Sequence, residues 1–126
     1  MKQTYYLRWG TFFLFMGVAC GAFGAHALKA RVSSVDLDIW HTAVLYQLIH
    51  GVGLLVLSVL PLERFRLSLI RWSARLMVAG IILFSGSLYF LVLSQVRMLG
   101  AVTPLGGTAL MLAWLLLFIA SCKRTG

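Results

Sequence analysis

The residues best equipped for chemistry lie inside the apolar stretches of the chain. Ala43, Gln47, His50, Gly51, Leu54 and Ser58 recur at helical spacing, with Tyr46 one turn before His50, so one helix face carries an imidazole, a carboxamide and a phenol. His26 lies in an earlier apolar run, and Ser85, Ser87 and Tyr89 lie in a later one. A neutral imidazole has one donor and one acceptor, and in hydrocarbon each must find a partner inside the protein. His26, Tyr46, Gln47, His50, Ser85, Ser87 and Tyr89 therefore read in one of two ways: as a buried hydrogen-bonded network that fixes helix register, or as a ligand or proton site. Two serines near a histidine suggest a membrane hydrolase, but no G-x-S-x-G elbow is present and no acid falls in an apolar run to orient a base. No catalytic residue is expected. Haem would need two histidines at one depth; His26 and His41 sit near one membrane surface, whereas His50 lies deeper and has no histidine opposite. Cys20 and Cys122 belong to different runs and show no zinc spacing. Neither a cofactor nor a metal is expected.

These groups need elements to hold them, and composition says which. The chain has 126 residues, 61% hydrophobic and 11% charged, with a mean hydropathy of +0.95. That excludes an ordinary soluble domain, which is about 25% charged. Each helical span needs about 20 apolar residues, and four runs qualify, at residues 9–28, 40–61, 76–95 and 104–121. The expected fold is a single all-α transmembrane domain, a four-helix bundle. Thr103-Pro104 opens the last run, with Thr103 as its N-cap and Pro104 in the first turn. Four spans bring both termini and the central connection to one side. That side holds Lys2, Arg8, Arg64, Arg66, Arg71, Arg75, Lys123 and Arg124, and the other holds Lys29, Arg31 and Arg97. The positive-inside rule then places the N-terminus and C-terminus in the cytoplasm of a cell with this protein in its inner (plasma) membrane. Trp9, Trp40 and Trp72 mark run edges, where indoles prefer the interface. The net charge of +8 is spread between apolar runs, which fits anionic lipid headgroups and not nucleic acid. Ala25-His26-Ala27 mimics a signal-peptide cleavage site, but cleavage would leave three spans and reverse the N-terminus. All three acids, Asp36, Asp38 and Glu63, fall between the runs, which argues against a proton-coupled cation exporter.

Small residues form a second pattern. Gly10, Gly17, Gly21, Gly24 and Leu28 follow one stripe of the first run, including a GxxxG at Gly17 and Gly21. Such a stripe lets another helix approach closely. It serves packing inside the bundle or, alternatively, a face for a homo-oligomer. Gly80 with Ser87, and Gly106 with Ala109, Ala113 and Ala120, repeat the pattern more weakly in the third and fourth runs. On this reading Gly21 should resist a large side chain, and Gly53, off the polar face of the second run, should accept one.

The blocks Gly21-Ala-Phe-Gly-Ala-His26, Trp40 with Thr42-Ala43, Tyr46-Gln47, His50-Gly51, Phe84-Ser-Gly-Ser-Leu-Tyr89 and Thr103-Pro-Leu-Gly-Gly107 resemble, in order and spacing, the signature of the domain of unknown function 423 family. The family comprises small inner-membrane proteins, and its eukaryotic relatives resemble transmembrane protein 256. The resemblance implies fold and location and carries over no catalytic residue; His41 stands outside its pattern. The expected function is that of a small membrane protein of unassigned biochemical role, non-enzymatic and either structural or binding lipids or a protein partner. The alternative is a carrier of a small solute, lipid or quinone around His50.

Overall fold

A computed structural model describes residues 2–122 of the chain. The Lys2 side chain, Lys123 and Arg124, all counted above among the basic residues, lie outside the described residues. Helix α1 spans Lys2–Phe23, α2 Ser34–Val59, α3 Leu67–Ser94 and α4 Thr103–Cys122. A π-helical turn, Gly24–Leu28, prolongs α1, and short 3-10 turns at Leu62–Arg64 and Arg97–Ala101 make the other connections. All four helices are long and apolar enough to cross a membrane.

Three boundaries differ from the apolar runs. α2 starts at Ser34, not at residue 40, because Ser33 caps it by accepting the Asp36 backbone N–H at 3.1 Å. Asp36 in that first turn also complements the positive end of the helix dipole. Asp36 and Asp38 are therefore helical residues, not loop residues. α3 starts at Leu67, not at residue 76, so Arg71 and Arg75 stand one turn apart on a helix. Charge ended the apolar run there but not the helix, since Arg is a good helix former. At the start of α4 the Thr103 hydroxyl is not a cap, because it is bonded 2.7 Å from the Ser87 hydroxyl of α3. The Val102 carbonyl accepts the backbone N–H of Leu105 and of Gly106 instead.

The helices pack in chain order, α1 on α2, α2 on α3 and α3 on α4. α2 and α3 form the central pair, with 44% and 50% of their spans buried against 22% for α1 and 28% for α4. The main core runs through Leu54, Leu57, Ile70, Met77, Leu110 and Ala113. Tyr6 near the start of α1, Leu57 near the end of α2, Ile70 near the start of α3 and Ala120 at the end of α4 share that core. The Gln3 side chain also donates to the Leu60 carbonyl at 2.8 Å. The start of α1 and the end of α4 thus lie at one end of the bundle. The outward faces are apolar, with Phe12, Phe15 and Val18 on α1 and Met111, Leu115 and Phe118 on α4 exposed, as a hydrocarbon environment requires.

Glycines set the closest approaches. A Cβ on Gly10 would fall 2.9 Å from the Gly51 carbonyl, and one on Gly17 2.6 Å from Leu48, so α2 covers the stripe of α1. At Gly10, Gly17 and Gly24 the stripe is interior packing. Gly24 admits Trp40, whose Cδ1 would stand 2.7 Å from an added Cβ. α3 and α4 come closest at Gly106, where a Cβ would strike the Phe84 backbone, 2.7 Å from its Cα. Gly80 answers from α3, facing Leu110. The expected contrast between Gly21 and Gly53 is reversed. Gly21 has only Val44 nearby, at 3.5 Å, whereas Gly53 is wedged between Met77 and Trp114, both at 3.2 Å.

Candidate functional site

The polar side chains of α2 and α3 converge on the middle of the bundle, and most of them bind a different helix. Gln47, buried, donates through Nε2 to the Phe13 carbonyl of α1 at 2.9 Å and accepts the Tyr89 hydroxyl of α3 at 2.7 Å. One amide so joins three helices. Its orientation is fixed by chemistry, since a carbonyl can only accept. Gly17 lies beside this bridge, and a Cβ there would stand in ordinary contact, 3.6 Å, with Gln47 Cγ. Ser85, buried in α3, donates to the Ala43 carbonyl at 2.7 Å, and Ser73 donates to the Ala113 carbonyl of α4 at the same distance. Ser87 donates to Phe84 of its own helix, so the Thr103 hydroxyl supplies the hydrogen in their shared contact.

His50 is 5% exposed. Its Nδ1 lies 2.7 Å from the Tyr46 carbonyl, and its Nε2 lies 2.8 Å from the indole Nε1 of Trp114 on α4. An indole nitrogen only donates, so Nε2 must accept and Nδ1 must carry the hydrogen. The bond pair selects one neutral tautomer. Trp114 itself is 41% exposed and covers His50 from the side, with ring centroids 5.6 Å apart. Trp114 also fills the notch at Gly53.

Two residues of the expected buried cluster stand elsewhere. His26 is exposed on the π-helical turn, and no hydrogen bond joins it to Gln47 or His50 among the described residues. His26 stands two residues from Gly24 and two from Leu28, both buried, and so lies on the opposite side of the turn from the inward stripe. Tyr46 is 38% exposed, and its ring stacks on Phe84 at 4.3 Å instead of pointing its hydroxyl at His50. It contributes its carbonyl, not its phenol. Of the partners expected for His50, which were Tyr46, Gln47 or a group on the first or third span, Tyr46 serves through its carbonyl, and the second partner comes from α4. A sequence signal existed for Trp114: an indole in mid-span needs an acceptor where lipid offers none.

Trp40 departs from the interfacial position expected of it. It is 3% exposed, donates to the Cys20 carbonyl at 2.8 Å and packs on Tyr89 with ring centroids 4.6 Å apart. At the same end of the bundle Asp36, 3% exposed, accepts from Arg97 at 2.8 and 3.2 Å and from Gln95 at 2.8 Å. Gln95 closes α3 at φ 61°, a left-handed conformation rare for a side-chain-bearing residue. Its side chain holds that turn by bonding Asp36, the Val92 carbonyl and, as acceptor, Arg97. Sequence reasoning missed this clasp because its parts lie about 60 residues apart, at |i−j| of 59 and 61.

Comparison with known proteins completes the picture. Residues 20–107 match the family described as "Protein of unknown function (DUF423)". A UPF0382 membrane protein of Staphylococcus epidermidis is 46% identical over 111 residues, covering 88% of this chain and 89% of the relative. The UPF0382 membrane protein YwdK of Bacillus subtilis is 42% identical over 108 residues, covering 86% and 88%. No solved structure matches the chain. The matched region holds α2, α3, the Gln47 and Tyr89 pair, the Asp36 clasp and Gly106, while Phe13 and Trp114 lie beyond it. The chain belongs to the DUF423 family of membrane proteins of unknown function.

Proposed function

We propose that this chain is a non-enzymatic, multi-pass protein of the inner (plasma) membrane, with cytoplasmic termini. Its rigid helical body serves lipids or a protein partner through its outer surface. One observation carries the reading: the polar groups in mid-bundle are occupied by one another. Gln47, Ser85 and His50 each donate to a backbone carbonyl, and Gln47 and His50 in turn accept from Tyr89 and Trp114. A transport or reaction site needs polar groups aimed at an empty space, and these groups are aimed at neighbouring helices. The serines supply no activated nucleophile, since Ser85 is bonded to a backbone carbonyl and has no base beside it.

Native mass spectrometry of the full chain in mild detergent tests the reading. Lipid adducts alone, with no small molecule of defined mass, are expected. A retained small molecule that disappears in His50→Leu would overturn it. The second reading, a carrier of a small solute, lipid or quinone, rests on the single cover over His50. Rotation of the half-exposed Trp114 would free Nε2 toward the membrane.

A further inference from the structure

Among the described residues, two buried polar side-chain atoms have no hydrogen-bond partner, the Tyr6 hydroxyl and Arg71 Nε. They belong to one place. Tyr6 of α1 packs in one core cluster with Ile70 and Ala74 of α3, the chain neighbours of Arg71 and Arg75, and both guanidiniums bear electrostatically on its hydroxyl. Tyr6 is 3% exposed, so water cannot satisfy it from outside, while Arg71 is only half-buried and Arg75 is exposed. Arg75 lies over the Trp72 ring, 5.0 Å from its centroid, and Trp72 is itself 53% exposed. A carboxylate would be the ordinary partner for such a cluster. The ion pair found among the described residues is Arg97 with Asp36, at the opposite end, and Glu63 is the lone acid at this one.

We propose that Arg71 and Arg75, backed by Tyr6 and flanked by Trp72, form a site for the phosphodiester of an anionic phospholipid headgroup. The proposal names a ligand for the lipid-binding reading above and rests on it. The chemistry selects the ligand. A guanidinium is donor-only, so what is missing is an anion with several acceptor oxygens, and arginine pairs bind phosphate through two parallel N–H groups. Arg71 and Arg75, at i and i+4, carry their guanidiniums on neighbouring turns of one helix face. Rotation of the long Arg71 side chain, whose outer part is already accessible, carries Nε to a phosphate oxygen and leaves the phenol a path to a second one. Position selects the source. The cluster is four to eight residues into α3, roughly 6–12 Å by helical rise, at the depth where lipid phosphates meet an interfacial tryptophan.

The test uses the full-length protein in a neutral detergent, with thermal unfolding followed after addition of phosphatidylglycerol, phosphatidylcholine or inorganic phosphate. Phosphatidylglycerol alone is expected to raise the midpoint. That rise should vanish in Arg71→Gln and in Arg75→Gln, shrink in Tyr6→Phe, and persist in the doubly substituted Arg64→Gln/Arg66→Gln, which removes twice the charge of either single arginine variant from the neighbouring connection. Arg75 is exposed, so its variant keeps the test available if Arg71→Gln fails to fold. Equal loss in the Arg64/Arg66 variant would overturn the site in favour of diffuse surface charge. An equal rise with inorganic phosphate would overturn the lipid as its source, and no rise with phosphatidylglycerol would overturn both. None of these outcomes depends on whether His50 holds a small molecule, so the two readings fail separately.

Discussion

At the scale of single residues, the pair His50 and Trp114 carries a measurable quantity. Each is the other's partner: His50→Leu strands the indole N–H, and Trp114→Phe strands Nε2. Leaving a buried group unpaired costs about 1–3 kcal/mol, whereas hydrogen bonds between membrane helices couple by about 0.6 kcal/mol on average and about 1.7 at most. Each single variant should therefore lose stability in detergent, and the double variant should lose less than the sum, by an amount in that range. Strict additivity would show that the bond contributes nothing. His41→Leu should be nearly silent, because His41 is exposed and the helix end lies near water. Which residues turn inward was legible from periodicity for Gln47 and His50, while Ser85 and Ser87 stood out only as polar residues in an apolar run. Which partner each one finds was not, because helical spacing fixes a face of one helix and says nothing about which neighbour crosses it. Tyr46 shows the limit, sharing a helix turn with His50 but lying at the edge of the buried arc.

At the scale of elements, four spans could be counted from composition, but their ends could not. Apolarity marks the length of helix inside hydrocarbon. Helices continue past it wherever caps and propensity allow, as α2 does back to its Ser33 cap and α3 back through Arg71. The glycine pattern was legible as a pattern, yet the decisive glycine is not in the α1 stripe. Gly106 meets the Phe84 backbone more closely than Gly10 meets the Gly51 carbonyl, and backbone cannot move aside as a leucine tip can. Gly106→Ala should therefore destabilise the α3–α4 pair by about 1–3 kcal/mol, the usual cost of overpacking. Gly86→Ala, with nothing within 4 Å of its Cβ, should be neutral or stabilising through helix propensity. Unfolding midpoints of the two variants decide the point, and a tolerated Gly106→Ala would mean that the helices are less closely apposed than described. Gly21→Leu belongs with the mild changes.

At the scale of the whole molecule, the two ends of the bundle are finished differently. One is closed by the Asp36, Gln95 and Arg97 clasp, which ties the start of α2 to the connection between α3 and α4. Asp36→Asn should lower the unfolding midpoint clearly more than Asp38→Asn, since Asp38 is exposed and Asp36 is not. The other end carries Arg8, Arg64, Arg66, Arg71 and Arg75 against Glu63 alone.

This contrast bears on orientation. The positive-inside rule counts Lys and Arg near span ends, and by that count the end with the termini is cytoplasmic. Counting net charge gives the same answer, because Arg97 is neutralised in place by Asp36. A reporter active only in the cytoplasm should therefore be active when fused after Gly126. The same reporter needs a second position on the opposite end, and a site near Val35 is unsuitable, since Val35 lies in the first turn of α2 between the Ser33 cap and Asp36. Ala30, exposed in the turn between the π-helical segment and that cap, leaves both intact. Inserted there, the reporter should be silent, and a periplasm- or exterior-active reporter should show the converse. Activity of the cytoplasmic reporter at Ala30 and silence after Gly126 would invert the orientation and place the Arg71 and Arg75 pair in the outer leaflet.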